Sequence, residues 1–183
     1  KSKKSKSKSN TQTSNRLSTA ETRKLFEQLS ADGFTKPLGD LFDIQIGIVS
    51  GANSFFILNS ENWKKHSLPD KVASYVLTKF RFAKGVTLEQ KDVESIIQIG
   101  EDCLLVDTSK AEKINGKLQE YLDSFPKDKI ETTTTFTRRK RSGVWHCFND
   151  NRIPDAFFPY MQNKGTWIVI NKARINATNS IHR

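Results

Sequence analysis

Apolar positions along this chain come in short bursts separated by polar turns, with no single period running through the whole. Residues 1–15 hold only Lys, Ser, Asn, Thr and Gln, so this stretch has nothing to bury, and residues 1–17 read as a basic, flexible linker or tail. Ser18 or Thr19 then caps a predicted helix through Leu29, with Leu25, Phe26 and Leu29 as its apolar stripe and Asp32-Gly33 as its stop. After Lys36-Pro37, the recurrence of Leu41, Ile44, Ile46 and Ile48 predicts strand within 38–49. A turn is expected at Ser50-Gly51-Ala52-Asn53, followed by a short buried strand at Phe55-Phe56-Ile57-Leu58.

The middle alternates helix and strand. Glu61–His66 reads as a short helix, Tyr75–Phe82 fits either state, Leu88–Ile97 reads as helix and Cys103–Val106 as a four-residue strand. Ser109–Phe125 is the clearest helical pattern, with Ile114, Leu118, Tyr121 and Leu122 on one face and Pro126 beyond its end; Gly116 weakens it. In the last third, Val144–Phe148, Phe157–Tyr160 and Trp167–Ile170 are aromatic or β-branched segments between polar turns and read as strands. Helices and strands mix without regular βαβ alternation. The expected fold class is therefore α+β, a single mixed domain over 18–183 with short, mostly antiparallel strands and several peripheral helices.

A length of 183 residues allows one domain with a real core. Charge changes the picture more. The net +10 divides into +6 over residues 1–16, −3 over 17–131 and +7 over 132–183. The tail invites a linker reading. The last third, structured-looking and rich in aromatics, has the balance of a surface that faces phosphates. No apolar run approaches the ~18 residues of a membrane-spanning helix, and Lys1–Asn10 is followed by polar sequence where a signal peptide would be apolar. Cys103 and Cys147 form no CxxC or Cys/His cluster and are expected to be reduced thiols in a cytoplasmic protein.

Several chemistries lack their motifs. No two prolines are adjacent, so no Asn-Pro-Pro-Tyr or Asp-Pro-Pro-Tyr motif exists, and the nine glycines contain no Gly-x-Gly pair. His66, His146 and His182 are scattered and read as surface or structural residues. Pro69-Asp70 followed by Glu89-Gln90-Lys91 matches a loose Mg²⁺-dependent nuclease pattern, but there Glu-x-Lys belongs on a strand, whereas here it opens a predicted helix.

Two blocks carry a resemblance to a known family. The stretch from Leu38 to Leu58, with Gly47, Ser50, Gly51 and Asn53 at its turn, resembles the start of the target-recognition region of adenine-specific DNA methyltransferases of restriction–modification systems, some of them fused to a nuclease. The second block, Trp145 to Arg183, has Arg152-Ile153-Pro154-Asp155, Tyr160-Met161, Val169-Ile170-Asn171-Lys172-Ala173 and Asn179-Ser180-Ile181-His182 as its spine; Gly100–Asp107 resembles the link between them. The family commonly places an arginine before the Val-x-Asn strand. This chain has Lys164-Gly165-Thr166-Trp167 there, so Lys164 or Arg174 would have to supply that contact.

The resemblance implies a parent enzyme that takes methyl from S-adenosylmethionine to the exocyclic amine of a flipped adenine. Its cofactor site and catalytic motif would lie in a preceding catalytic domain, absent from this chain, and the native region would extend past Arg183. Duplex DNA and that catalytic domain are the implied partners.

The residues also have readings of their own. Gly47 and Gly51 either close a tight hairpin or let backbone amides approach a phosphate; Asn53 either shapes the turn or meets a base edge. Phe55 and Phe56 read as core; Trp145 and Trp167 either pack in the core, the favoured reading, or stack on a displaced base. Four consecutive cations, Arg138-Arg139-Lys140-Arg141, are expected to be solvated or paired with anions, here phosphates, and Arg152, Lys164 and Arg174 join them as candidate DNA contacts. Alternatives are the nuclease built on Asp70, Glu89 and Lys91, a general basic RNA-binding module, and a domain whose basic face docks on an acidic catalytic partner. The expectation that joins these readings is one shared surface for the glycine turn and the basic last third.

Overall fold

A computed structural model describes residues 19–33, 35–148, 150, 152–161 and 167–183. The basic tail 1–17 and Lys164 lie outside the described residues. Contacts divide the chain between Asp43 and Ile44. In the first part, Thr19 caps helix α1 (Ala20–Ala31) by accepting the Thr22 amide at 3.3 Å, and none of the α1 residues is buried. A single turn, α2 (Leu38–Leu41), follows Pro37 where the sequence predicts strand.

The second part, residues 44–183, is α+β with short, mostly antiparallel strands, as the sequence implies. In chain order it holds α3 (Asn53–Phe56), β1 (Ile57–Leu58), α4 (Ser60–Lys65), β2 (Ala73–Leu77), β3 (Thr87–Leu88), α5 (Gln90–Gln98) and β4 (Leu104–Val106). Then come α6 (Gly116–Asp123), α7 (Lys127–Thr132), α8 (Thr134–Ser142), β5 (Ala156–Pro159), β6 (Val169–Asn171), β7 (Asn176–Ala177) and β8 (Ile181–His182). They build two four-stranded sheets, ordered β1-β4-β2-β7 and β3-β6-β5-β8, with only β2–β7 and β3–β6 parallel.

Segment 45–49 ties the sheets together. Ile46 bridges His182 of β8, and Ile48 bridges Thr178 just after β7. Gly47 sits at the crossing, where a Cβ would lie 2.3 Å from the carbonyl oxygens of Ala177 and Thr178. Only glycine lets the backbones approach so closely. The continuous strand predicted over 38–49 therefore reduces to two isolated bridges.

Three other segments differ from expectation. The long helix of 109–125 shortens to α6, because the Asp107 carboxylate takes the Ser109 amide at 3.1 Å and its hydroxyl at 2.5 Å, setting a local turn that competes with helix. Asn115-Gly116 then starts α6, with Gly116 at φ +54°. Residues 53–56 form a helical turn, and Phe56 and Ile57–Leu58 are buried as expected. Residues 144–148, expected as strand, are turn and loop, and the run before them, for which the sequence predicts no element, is helical as α7 and α8.

One apolar core runs through residues 44–183, with Phe56, Val72, Phe136, Phe157 and Val169 all fully buried. An aromatic cluster locks α3, α6 and α8 together: Phe55 stacks on Tyr121 at 4.5 Å, Phe125 on Trp145 at 5.2 Å, and Phe136 meets Trp145 edge-on at 5.4 Å. Such pairs add about 0.5–1.5 kcal/mol each beyond area burial. Trp167, read as core, is instead 46% exposed, with Phe80 beside it at 5.6 Å.

Candidate nucleic-acid interface

The four-cation run lies on α8, so its members diverge around the helix instead of facing one way. Arg138, Lys140 and Arg141 are exposed and make no hydrogen bond or ion pair with another described residue. Arg138 lines a groove of about 580 Å³ shared with segment 45–49 and Phe148. Lys140 lines a second groove, about 300 Å³, with Lys127, Phe125 and Trp145. Helix α8 is thus a basic ridge between two concavities.

Arg139 departs from the solvated or anion-paired reading. It turns inward, donating from Nη1 to the Ser50 carbonyl at 2.7 Å and from Nη2 to the Val49 carbonyl. Its guanidinium lies over the Phe148 ring at 4.6 Å and near Phe136 at 5.9 Å. Burial pushes its pKa below the usual arginine value, an acceptable cost for a guanidinium basic enough to keep its proton. Carbonyl dipoles and ring faces take the place of water around the charge.

The turn that Arg139 grips is the predicted glycine turn. Gly51, at φ +86°, would place a Cβ 2.9 Å from the Phe136 ring, so α8 packs directly on this glycine. Ser50 is 1% exposed; its Oγ accepts the Ala52 amide at 3.1 Å and donates to Asn53 Oδ1. Asn53 is exposed at the start of α3. Gly47 has its amide committed to the Ile181 carbonyl at 2.9 Å, so its glycine identity answers to strand crossing and leaves no N–H for a ligand.

Arg152 is tied within the protein, its Nε 3.6 Å from Asp150 Oδ1 and its Nη2 donating to Gln45 Oε1. Arg183, which sequence reasoning missed, pairs with the other oxygen of Asp150 and donates to Asn176 Oδ1 at 2.7 Å, with 4% of its side chain exposed. Its position as the final residue gave no hint of burial. Arg174 is exposed in the left-handed region, at φ +56°, on a turn that the buried Asn171 holds by donating to the carbonyls of Pro154 and Ile175 at 2.8 and 2.7 Å. A non-glycine residue there carries a strain of order 1–3 kcal/mol. It borders a third groove, about 500 Å³, with Tyr75 and Lys110, which shares Ile48 and Asp150 with the first.

The nuclease candidates serve other ends. Glu89 caps α5 in a capping box with Asp92, and the hydrogen bond and charge of Lys91, 3.0 Å away, hold its carboxyl below the usual range. Among the described residues no group of three His, Cys, Asp or Glu side chains could hold a metal ion. Cys103 is buried, which pushes its thiol up to about 11 and keeps it protonated. No described helix is long and apolar enough to cross a membrane.

Fold and site together define a small α+β domain whose basic ridge flanks an arginine-clamped glycine turn. The chain belongs to the family described as type II methyltransferase M.Eco57I, C-terminal domain, whose model matches residues 9–183. Membership makes it part of a methyltransferase of the restriction–modification kind. No curated protein matches it.

Proposed function

We propose that this domain reads duplex DNA as the target-recognition part of an adenine-specific methyltransferase. One observation carries the reading: the glycine turn and the outward cations of α8 adjoin, joined by Arg139 and Phe136. A ridge that presents Arg138, Lys140 and Arg141 without internal partners is suited to phosphates, and the adjacent turn offers Asn53 for base edges. Arg174 adds an exposed cation beside a groove that shares Ile48 and Asp150 with the one Arg138 lines.

Methyl transfer from S-adenosylmethionine belongs, on this reading, to a separate catalytic domain. The glycine turn here does not fit that cofactor: it leads into one helical turn, and the space beside Gly51 is filled by Phe136. What this chain's residues contribute is affinity and register on the duplex.

Fluorescence anisotropy on a labelled duplex between about 50 and 200 mM salt tests the proposal. Four phosphate-facing cations predict a slope of about −3.6 in log K against log salt, at about −0.9 per contact on B-DNA. Salt-independent binding, or displacement by structured RNA in preference to unlabelled duplex, would refute it.

A further inference from the structure

We infer that Arg139 and Ser50 are positioning residues that fix Asn53 as a donor-only reader of guanine in the major groove, and that Arg139 itself does not touch DNA. The inference rests on the duplex-reading function proposed above and adds the base class and the residues that set it.

The chain of contacts begins at the guanidinium. Its two terminal nitrogens hold consecutive carbonyls, Val49 and Ser50, and Phe148 covers its face. A rigid planar fork matches two adjacent acceptors in a way that a lysine ammonium cannot. The backbone at Ser50 is thereby fixed, and its side chain is buried. Ser50 Oγ has one proton and already accepts the Ala52 amide, so its proton goes to Asn53 Oδ1. Oδ1 faces inward, and the two N–H groups of Nδ2 are left to face solvent from an exposed side chain.

That orientation has a consequence for base choice. A carboxamide with both ends available reads adenine, accepting from N6 and donating to N7. With Oδ1 engaged by Ser50, Asn53 offers donors alone. In the major groove, guanine presents two adjacent acceptors, O6 and N7, and cytosine presents an amino donor that such a group rejects. Asn53 therefore favours guanine over adenine at one position of the site, and does so only while Ser50 and Arg139 hold it.

Selection from a library of duplexes with a randomised core, followed by sequencing, reads this directly for the whole chain and for Ser50→Ala, Asn53→Ala and Arg139→Lys. The parent is expected to enrich a motif with guanine at a defined position. Ser50→Ala frees the carboxamide and brings adenine at that position to parity, a loss of about tenfold in discrimination. Asn53→Ala abolishes the preference there alone. Arg139→Lys relaxes the same position, and the charge-removing Arg139→Gln leaves the salt slope of binding unchanged because Arg139 holds no phosphate; thermal melts keep folded variants separate from unfolded ones. A motif unaltered in all three folded variants, or a salt slope reduced by about one unit in folded Arg139→Gln, would overturn the positioning role and leave duplex reading intact. A parent that enriches no duplex would overturn duplex reading, and this inference with it.

Discussion

Gly47 and Gly51 look alike in the sequence, and both invite a phosphate reading, yet their surroundings separate them. At Gly47 the two carbonyls 2.3 Å from a built Cβ are backbone, which cannot swing aside. Gly47→Ala is accordingly expected to destabilise the fold by about 3 kcal/mol or more, the upper range for overpacking. A urea midpoint within error of the parent would show that the two sheets can separate there. At Gly51 the nearest atom belongs to the Phe136 ring, and the positive φ is the firmer reason for glycine. Residue types along the sequence revealed that these positions were special. They did not reveal which was crossing point and which was exposed turn, because that depends on what packs against each from residues 136 and 177.

At the scale of elements, two of the three strands expected in the last third were legible: the aromatic and β-branched stretches 157–160 and 167–170 overlap β5 and β6, while 144–148 forms no strand. Helix α8 was not, because three threonines and four cations carry little apolar periodicity, and Phe136 alone marks its inner face. Thr133 before it and Gly143 after it are a start and a stop signal that frame the helix in retrospect. In the middle, the pattern at Ile114, Leu118, Tyr121 and Leu122 was helical, but Asp107 recruits the Ser109 amide into a local turn and the helix begins only at Gly116.

The link between the 3-10 turn at 108–110 and the loop after α8 is tunable by pH. Thr108 Oγ1 donates to the His146 carbonyl at 3.0 Å and lies 3.0 Å from the ring Nδ1. Burial pushes the His146 pKa below its ordinary value of 6.5, so folding favours the neutral ring. That stabilisation is complete above about pH 6.5 and is lost as pH falls through the lower folded value. Urea midpoints at about pH 7.5 and about pH 5.5 should therefore fall on acidification in the parent and fall less in His146→Gln. Equal losses in both would remove His146 as the cause.

Viewed whole, Arg183 and the described cations singled out as DNA contacts form two populations. Arg139, Arg152 and Arg183 are engaged by partners within the protein, namely carbonyls, Gln45, Asp150 and Asn176. Arg138, Lys140, Arg141 and Arg174 face solvent. The sequence could show the +7 balance of residues 132–183 but not this partition, since a run of four like charges reads the same whichever member turns inward. Family membership and the adjoining of ridge and turn make the outward set the source of DNA affinity in our account.

The most direct test is the salt dependence of duplex binding for the triple variant Arg138→Gln, Lys140→Gln, Arg141→Gln beside the parent. Removal of three phosphate contacts predicts a slope shallower by about 2.7, with affinity falling alike on every duplex sequence. An unchanged slope in a folded triple variant would contradict the account, because the ridge of α8 would then lie away from the DNA.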